Sequence, residues 1–138
     1  MSNFDSILLE LGVTQPPENK NGFGWITVKA LDARKMAGLM LARGARFVTM
    51  NGLQIDGNEE IRIDYHWDLR GELLALTTQT VNGKIDDITD ICPAADWIER
   101  EIHEHLAVEF EGADPSKLPL FLKHGEEPGT LLRKTRAL

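Results

Sequence analysis

Between Ile98 and Leu106 the chain reads Ile-Glu-Arg-Glu-Ile-His-Glu-His-Leu, and seven of these residues hold two histidines and three glutamates. Imidazoles and carboxylates are the side chains that hold divalent metals or move protons near neutral pH. Spacing decides which chemistry is open to them. A helical zinc site of the His-Glu-x-x-His kind needs histidines at i and i+4. Here His103 and His105 are i and i+2, about 200° apart on a helix. They cannot grip one ion from a helix, and no metal is expected. Glu101 and His105 are i and i+4, so a helix would set them side by side as an ion pair or an acid–base pair.

Other reactive groups are sparse. Cys92 is the single cysteine. It can form no internal disulfide and supplies no thiolate set for zinc or iron–sulfur. Between Ile91 and Pro93 it reads as a small buried apolar residue. Asp86, Asp87 and Asp90 lie close in sequence, but along one strand they would point both ways, as a solvated edge. Phosphate-cradling glycine loops and a nucleophile elbow are both missing. The formal charge is −7, and the basic residues are scattered except near the end, which argues against nucleic acid and against direct binding to anionic lipid. Apolar runs are far too short to span a bilayer, and the acidic N-terminus lacks the basic start of a signal peptide. A cytoplasmic protein is expected.

Alternating elements must position the 98–106 stretch. Residues 2–11 read as a short amphipathic helix capped by Ser2 or Asn3. Trp25–Val28 reads as a strand. Asp32 caps a helix over 33–43 that stops at Gly44. Arg46–Met50 is a strand, extending to Ile55 after a break at Asn51-Gly52. Ile61–Trp67 alternates as a half-buried strand. Leu73–Val81 and Ile85–Ile91 flank the hairpin signal Asn82-Gly83. Asp96 caps a helix over 97–107, with Glu99 completing an approximate capping box. On that helix Ile98, Ile102 and Leu106 form an apolar row, flanked by Trp97, Glu101 and His105. Glu99, Arg100, His103 and Glu104 fall on the opposite side, where Arg100 and Glu104 are spaced to pair. The fold class is α+β: a two-layer domain with a mixed, largely antiparallel sheet and helices on one side. Residues 1–112 form the domain. Residues 113–138, rich in proline and glycine, form an irregular tail that packs on a partner or on the domain.

The run Ile88-Thr89-Asp90-Ile91-Cys92-Pro93-Ala94-Ala95-Asp96-Trp97-Ile98-Glu99-Arg100-Glu101 closely resembles the signature of the 30-kDa subunit family of respiratory NADH dehydrogenase. That pattern has a strand, a proline, small residues, an acidic or amide residue before tryptophan, and Glu-Arg-Glu opening a helix. Glu104 matches its next acidic residue, Phe110 and Gly112 the following segment, and Arg133-Lys134 a later basic pair. The resemblance implies that Pro93, Trp97, Glu99, Arg100, Glu101, Glu104, Phe110, Gly112, Arg133 and Lys134 are signature or interface residues. It also implies a non-catalytic subunit with no cofactor of its own. Such a subunit packs on the large catalytic subunit and the iron–sulfur small subunit of a peripheral arm, and meets the membrane only through other subunits on its cytoplasmic face.

The chain departs from the family pattern at Glu104-His105-Leu106-Ala107, where aromatic residues and glycine are usual, and at Gly112–Leu118, where two arginines are missing. It is also short. It is similar in this to relatives in energy-converting membrane-bound [NiFe] hydrogenases and formate hydrogenlyase-type complexes. The alternative is a free-standing enzyme or binding module of the same fold that uses Glu101 and His105.

Overall fold

The computed structural model describes residues 2–55, 57–114, 120, 122 and 126–129. In chain order the elements are α1 (Asp5–Glu10), β1 (Glu18–Lys20), β2 (Phe23–Thr27), α2 (Ala33–Ala42), β3 (Arg46–Gln54), β4 (Ile61–Leu69), β5 (Glu72–Gln79) and β6 (Lys84–Asp86). A single 3-10 turn (Pro93–Ala95) then leads into α3 (Asp96–Leu106), and β7 (Glu109–Glu111) follows. Five strands form one sheet in the order β1-β2-β5-β4-β3, antiparallel except for the parallel β2–β5 pair. The expected α+β class and the largely antiparallel mixed sheet are observed.

Strand alternation sorts the sheet into two faces. Ile26, Phe47, Met50, Ile61, Ile63, Tyr65, Trp67, Leu69, Leu74 and Leu76 share one face and one core with Phe4 and Ile7 of the α1 region, Met36 and Met40 of α2, and Ile102 and Leu106 of α3. The helices therefore pack on that face, as the periodicity of each predicts. Asp32 caps α2 through a 3.0 Å bond from the Lys35 amide. α1 differs slightly from expectation: Phe4 holds the cap position without a side-chain bond. Asn3 instead donates its backbone N–H to Glu72 at 2.8 Å and its side-chain amide to the Leu69 carbonyl at 3.1 Å, tying the helix to the β4–β5 turn.

Four expectations need correction. β3 runs unbroken through Asn51-Gly52 because both residues keep their partners on β4; its irregularity is a bulge at Val48 instead. β4 is buried on both faces, not one. Asp64 and His66 point away from the helices but are covered by neighbouring side chains on that face. Ile85–Ile91 is not a return strand. Asn82 and Gly83 do adopt the left-handed turn the dipeptide favours (φ 55° and 75°), but antiparallel pairing stops after the Val81–Lys84 rung. Three residues, β6, then pair in parallel with β7. Of the three aspartates only Asp87 departs from a solvated position: it is buried and accepts the Thr89 amide at 3.0 Å, whereas Asp90 stays exposed and receives a bidentate Arg34 at 2.7 and 2.8 Å. Among the described residues no helix is long and apolar enough to cross a membrane.

Candidate functional site

α3 carries the chemistry-bearing stretch, and three neighbours fix it. Pro93 opens the 3-10 turn that delivers the chain into the helix. On one side Ile98, Ile102 and Leu106 lie toward β3. The fit is closest at Gly52, where an added Cβ would stand 2.9 Å from Ile102 Cγ2 and 3.0 Å from Leu106 Cδ1. At its C-terminus Ala107 takes a left-handed φ of 58°, and its N–H donates to the His103 carbonyl at 2.9 Å. His103 Nδ1 reaches the Val108 carbonyl at 2.8 Å, so that imidazole serves the turn into β7. Phe110 is buried there, paired with Ile85 across the parallel ladder. Gly112 leaves β7 at φ 91°, a conformation that side chains disfavour.

The side opposite β3 is not solvated as its composition suggests. Glu99 and Glu104 are each only 3% exposed. Glu99 accepts the Ile88 backbone N–H at 3.0 Å. Glu104 accepts two amides from the tail, Leu120 at 2.8 Å and Leu122 at 2.7 Å, while its own carbonyl accepts the Gly129 N–H at 2.8 Å. Carboxylate bonds to backbone amides are charge-assisted and short. They satisfy both the buried acid and amides that leave regular structure here. Two of the three glutamates thus act as splints, joining α3 to the segment after β6 and to the tail. The expected capping box is absent because Asp96 lies inside the helix and Ala95 holds the cap position. Arg100 reaches back to Asp96 at 3.6 Å. Trp97 is not packed but 59% exposed. Arg133 and Lys134 lie outside the described residues.

Glu101 and His105 do come together, on the rim of a groove of about 490 Å³ between α3 and β3 that Asn51, Leu53 and Ile98 also line. His105 Nδ1 stands 3.9 Å from Glu101 Oε1, an ion-pair distance too long for a hydrogen bond. A general base works within about 2.6–3.2 Å of the proton it takes. The groove offers charge beside apolar surface rather than a tight proton relay.

Two further titratable groups belong to the core. Burial raises the Cys92 thiol above its ordinary pKa, as suits an inert core cysteine. Burial, reinforced by the charge of Glu99, pushes the Tyr65 hydroxyl up as well. Among the described residues no three metal-ligating side chains converge.

Two features escaped the sequence reading. Gly52 looked like a strand break, although a glycine inside a strand pattern also signals close backbone approach. The second is a polar–aromatic cluster on the sheet face away from the helices. There His66 sits edge-on to Phe23 and Trp25, with ring centroids 5.1 and 5.3 Å away, and its Nε2 contacts the Asn51 amide at 3.2 Å. Beside it Asp64 accepts Thr77 at 2.8 Å and Arg62 at 2.9 Å. Register alone brings these residues together.

This fold recurs in known proteins. The family model of the 30 kDa subunit of respiratory-chain NADH dehydrogenase matches residues 26–137. A chain in the structure of a membrane-bound sulfane sulfur reductase, an archaeal respiratory membrane complex, superposes with a TM-score of 0.73 at 21% identity, over 88% of this chain and 76% of that one. A trypsin-resistant fragment (1–134) of Nqo5 superposes with a TM-score of 0.64 at 20% identity, over 82% of this chain and 99% of the fragment. No curated protein matches the chain. The α3 signature, the sheet it packs on and the extent of the match make this chain a member of the 30 kDa subunit family of respiratory-chain NADH dehydrogenase.

Proposed function

We propose that the chain is a non-catalytic, cofactor-free accessory subunit in the peripheral arm of a membrane-bound [NiFe] hydrogenase or NADH dehydrogenase-like complex. It contacts the large catalytic subunit and its iron–sulfur small subunit, and it meets the cytoplasmic face of the membrane only through them. The observation that carries this reading is the use of the signature acids: Glu99 and Glu104 are spent on backbone amides. An acid that accepts backbone N–H groups from elsewhere in the chain ties those segments to its own helix. The same scaffold leaves Trp97 outward and Glu101 half exposed, and tryptophan is enriched at interface hot spots. In this reading Glu104 holds Leu120 and Leu122 of the tail to α3, and Arg133 and Lys134 pair with acids of a partner.

The test is affinity purification of the tagged full-length chain from gently solubilised membranes, followed by metal analysis and assays of hydrogen and NADH oxidation. Co-elution with a nickel- and iron-containing large subunit and hydrogen activity is expected. NADH oxidation with bound flavin would instead assign the complex to the NADH dehydrogenase type. Recovery of the chain alone from the soluble fraction, with turnover abolished by Glu101→Gln, would overturn the accessory role in favour of a free-standing enzyme.

A further inference from the structure

β3 is an edge strand, and it lacks most of the usual protection. It pairs with β4 alone, and from Phe47 to Leu53 no outward backbone group bonds to another backbone group among the described residues. Natural edges are blunted by proline, charge, bulges or a covering helix or loop; α3 covers β3 at Gly52 but leaves a groove along Thr49–Leu53. The bulge at Val48 affects only the beginning of the strand, and Thr49–Leu53 then run in regular register with no proline and no charge. Leu53 is 49% exposed and Ile55, just beyond the strand, 45%.

The surroundings of this edge suit a further strand. α3 packs over β3 at Gly52 and extends past it, so that Ile98, Glu101 and His105 line the groove together with Thr49–Leu53. A strand added about 4.8 Å outside β3 would enter that groove. Its inward side chains would meet Ile98 and Ile102, and the side chain at the rim would meet the Glu101 carboxylate, which is 44% exposed.

We propose that β3 accepts an extended segment of the partner subunit by strand addition, one that alternates apolar residues with at least one lysine or arginine placed against Glu101. Backbone bonds along Thr49–Leu53 supply affinity, and the groove supplies sequence preference. This inference rests on the accessory-subunit reading and specifies which surface that subunit uses.

Hydrogen exchange at single-amide resolution, on the free full-length chain and on the purified complex, tests it. In the complex, the amides of Thr49–Leu53 that point away from β4 should exchange at least tenfold more slowly than in the free chain, while those already bonded to β4 change little. Glu101→Lys should weaken assembly about tenfold with the fold unchanged. If the complex is recovered but those amides are no slower, strand addition is refuted and the accessory role stands. If no complex is recovered, both fall. If the protection appears in the free chain and grows with its concentration, the edge pairs with a second copy of the chain and the partner assignment is refuted.

Discussion

Glu104→Gln alters one atom at the point where the tail meets α3, and its effect follows from the hydrogen bonds. Wild-type Glu104 offers two carboxylate oxygens to two amides, Leu120 at 2.8 Å and Leu122 at 2.7 Å. Glutamine keeps one oxygen and turns an NH2 group toward the second amide, so one bond is lost and the other loses its charge assistance. A hydrogen bond to a charged group contributes about 1.5–3 kcal/mol and a neutral one about 1. The loss would thus be about 2–4 kcal/mol, reduced to about 2 because half-buried Leu120 and Leu122 can recruit water. The backbone bond from Gly129 is unaffected. At about 1.4 kcal/mol per tenfold, the amides of Leu120 and Leu122 should exchange roughly thirtyfold faster in the variant. The Ile88 amide, held by Glu99, should not change, which separates tail release from global unfolding. Glu101→Gln, on the groove rim, is the control and should leave both tail amides alone. Unchanged exchange at 120 and 122 in Glu104→Gln would refute the splint argument.

Other substitutions probe the packing around the same helix. Gly52→Val forces methyl groups into Ile102 and Leu106, and overpacking of this kind costs about 1–3 kcal/mol; an unaltered urea midpoint would show that α3 does not bear on β3 there. Ala107→Gly relieves a left-handed residue with a Cβ (φ 58°), a strain of about 1–2 kcal/mol partly offset by the greater freedom of glycine in the unfolded chain. A net gain of about 0.5–1 kcal/mol should appear as a raised Tm, and a lowered Tm would contradict it. Burial holds the His66 imidazole below its ordinary pKa of 6.5, with Asp64 opposing and Arg62 reinforcing the shift. The unfolded chain therefore takes up this proton first as the pH falls, so His66 lowers stability progressively below about pH 6.5 and has no such effect above it. Urea unfolding at pH 7.5 and 5.5 should show a smaller loss for His66→Phe than for wild type; equal losses would refute the assignment.

Much of this molecule is local and can be read from residue order. Turn dipeptides, the Asp32 cap and the apolar rows of α2 and α3 depend on neighbours a few positions away, and they set the α+β class and most of the helix–strand order. The 88–112 run was enough to identify the family. The sequence also kept His103 and His105 apart, since i and i+2 cannot converge on a helix. The use of each acid on α3 was beyond its reach. Helical periodicity put Glu99 and Glu104 on the solvent side, because it weighs only the residue's own helix. They are buried because amides from other parts of the chain come to them, Ile88 from eleven residues before Glu99 and Leu120 and Leu122 from sixteen and eighteen after Glu104. Trp97, next to the apolar row of the same helix, is instead 59% exposed, which its own helix's periodicity could not reveal either. The free edge of β3, the groove beside it and the His66 cluster exist only once five strands are ordered across the sheet, and strand order is a property of tertiary packing that no window of sequence contains.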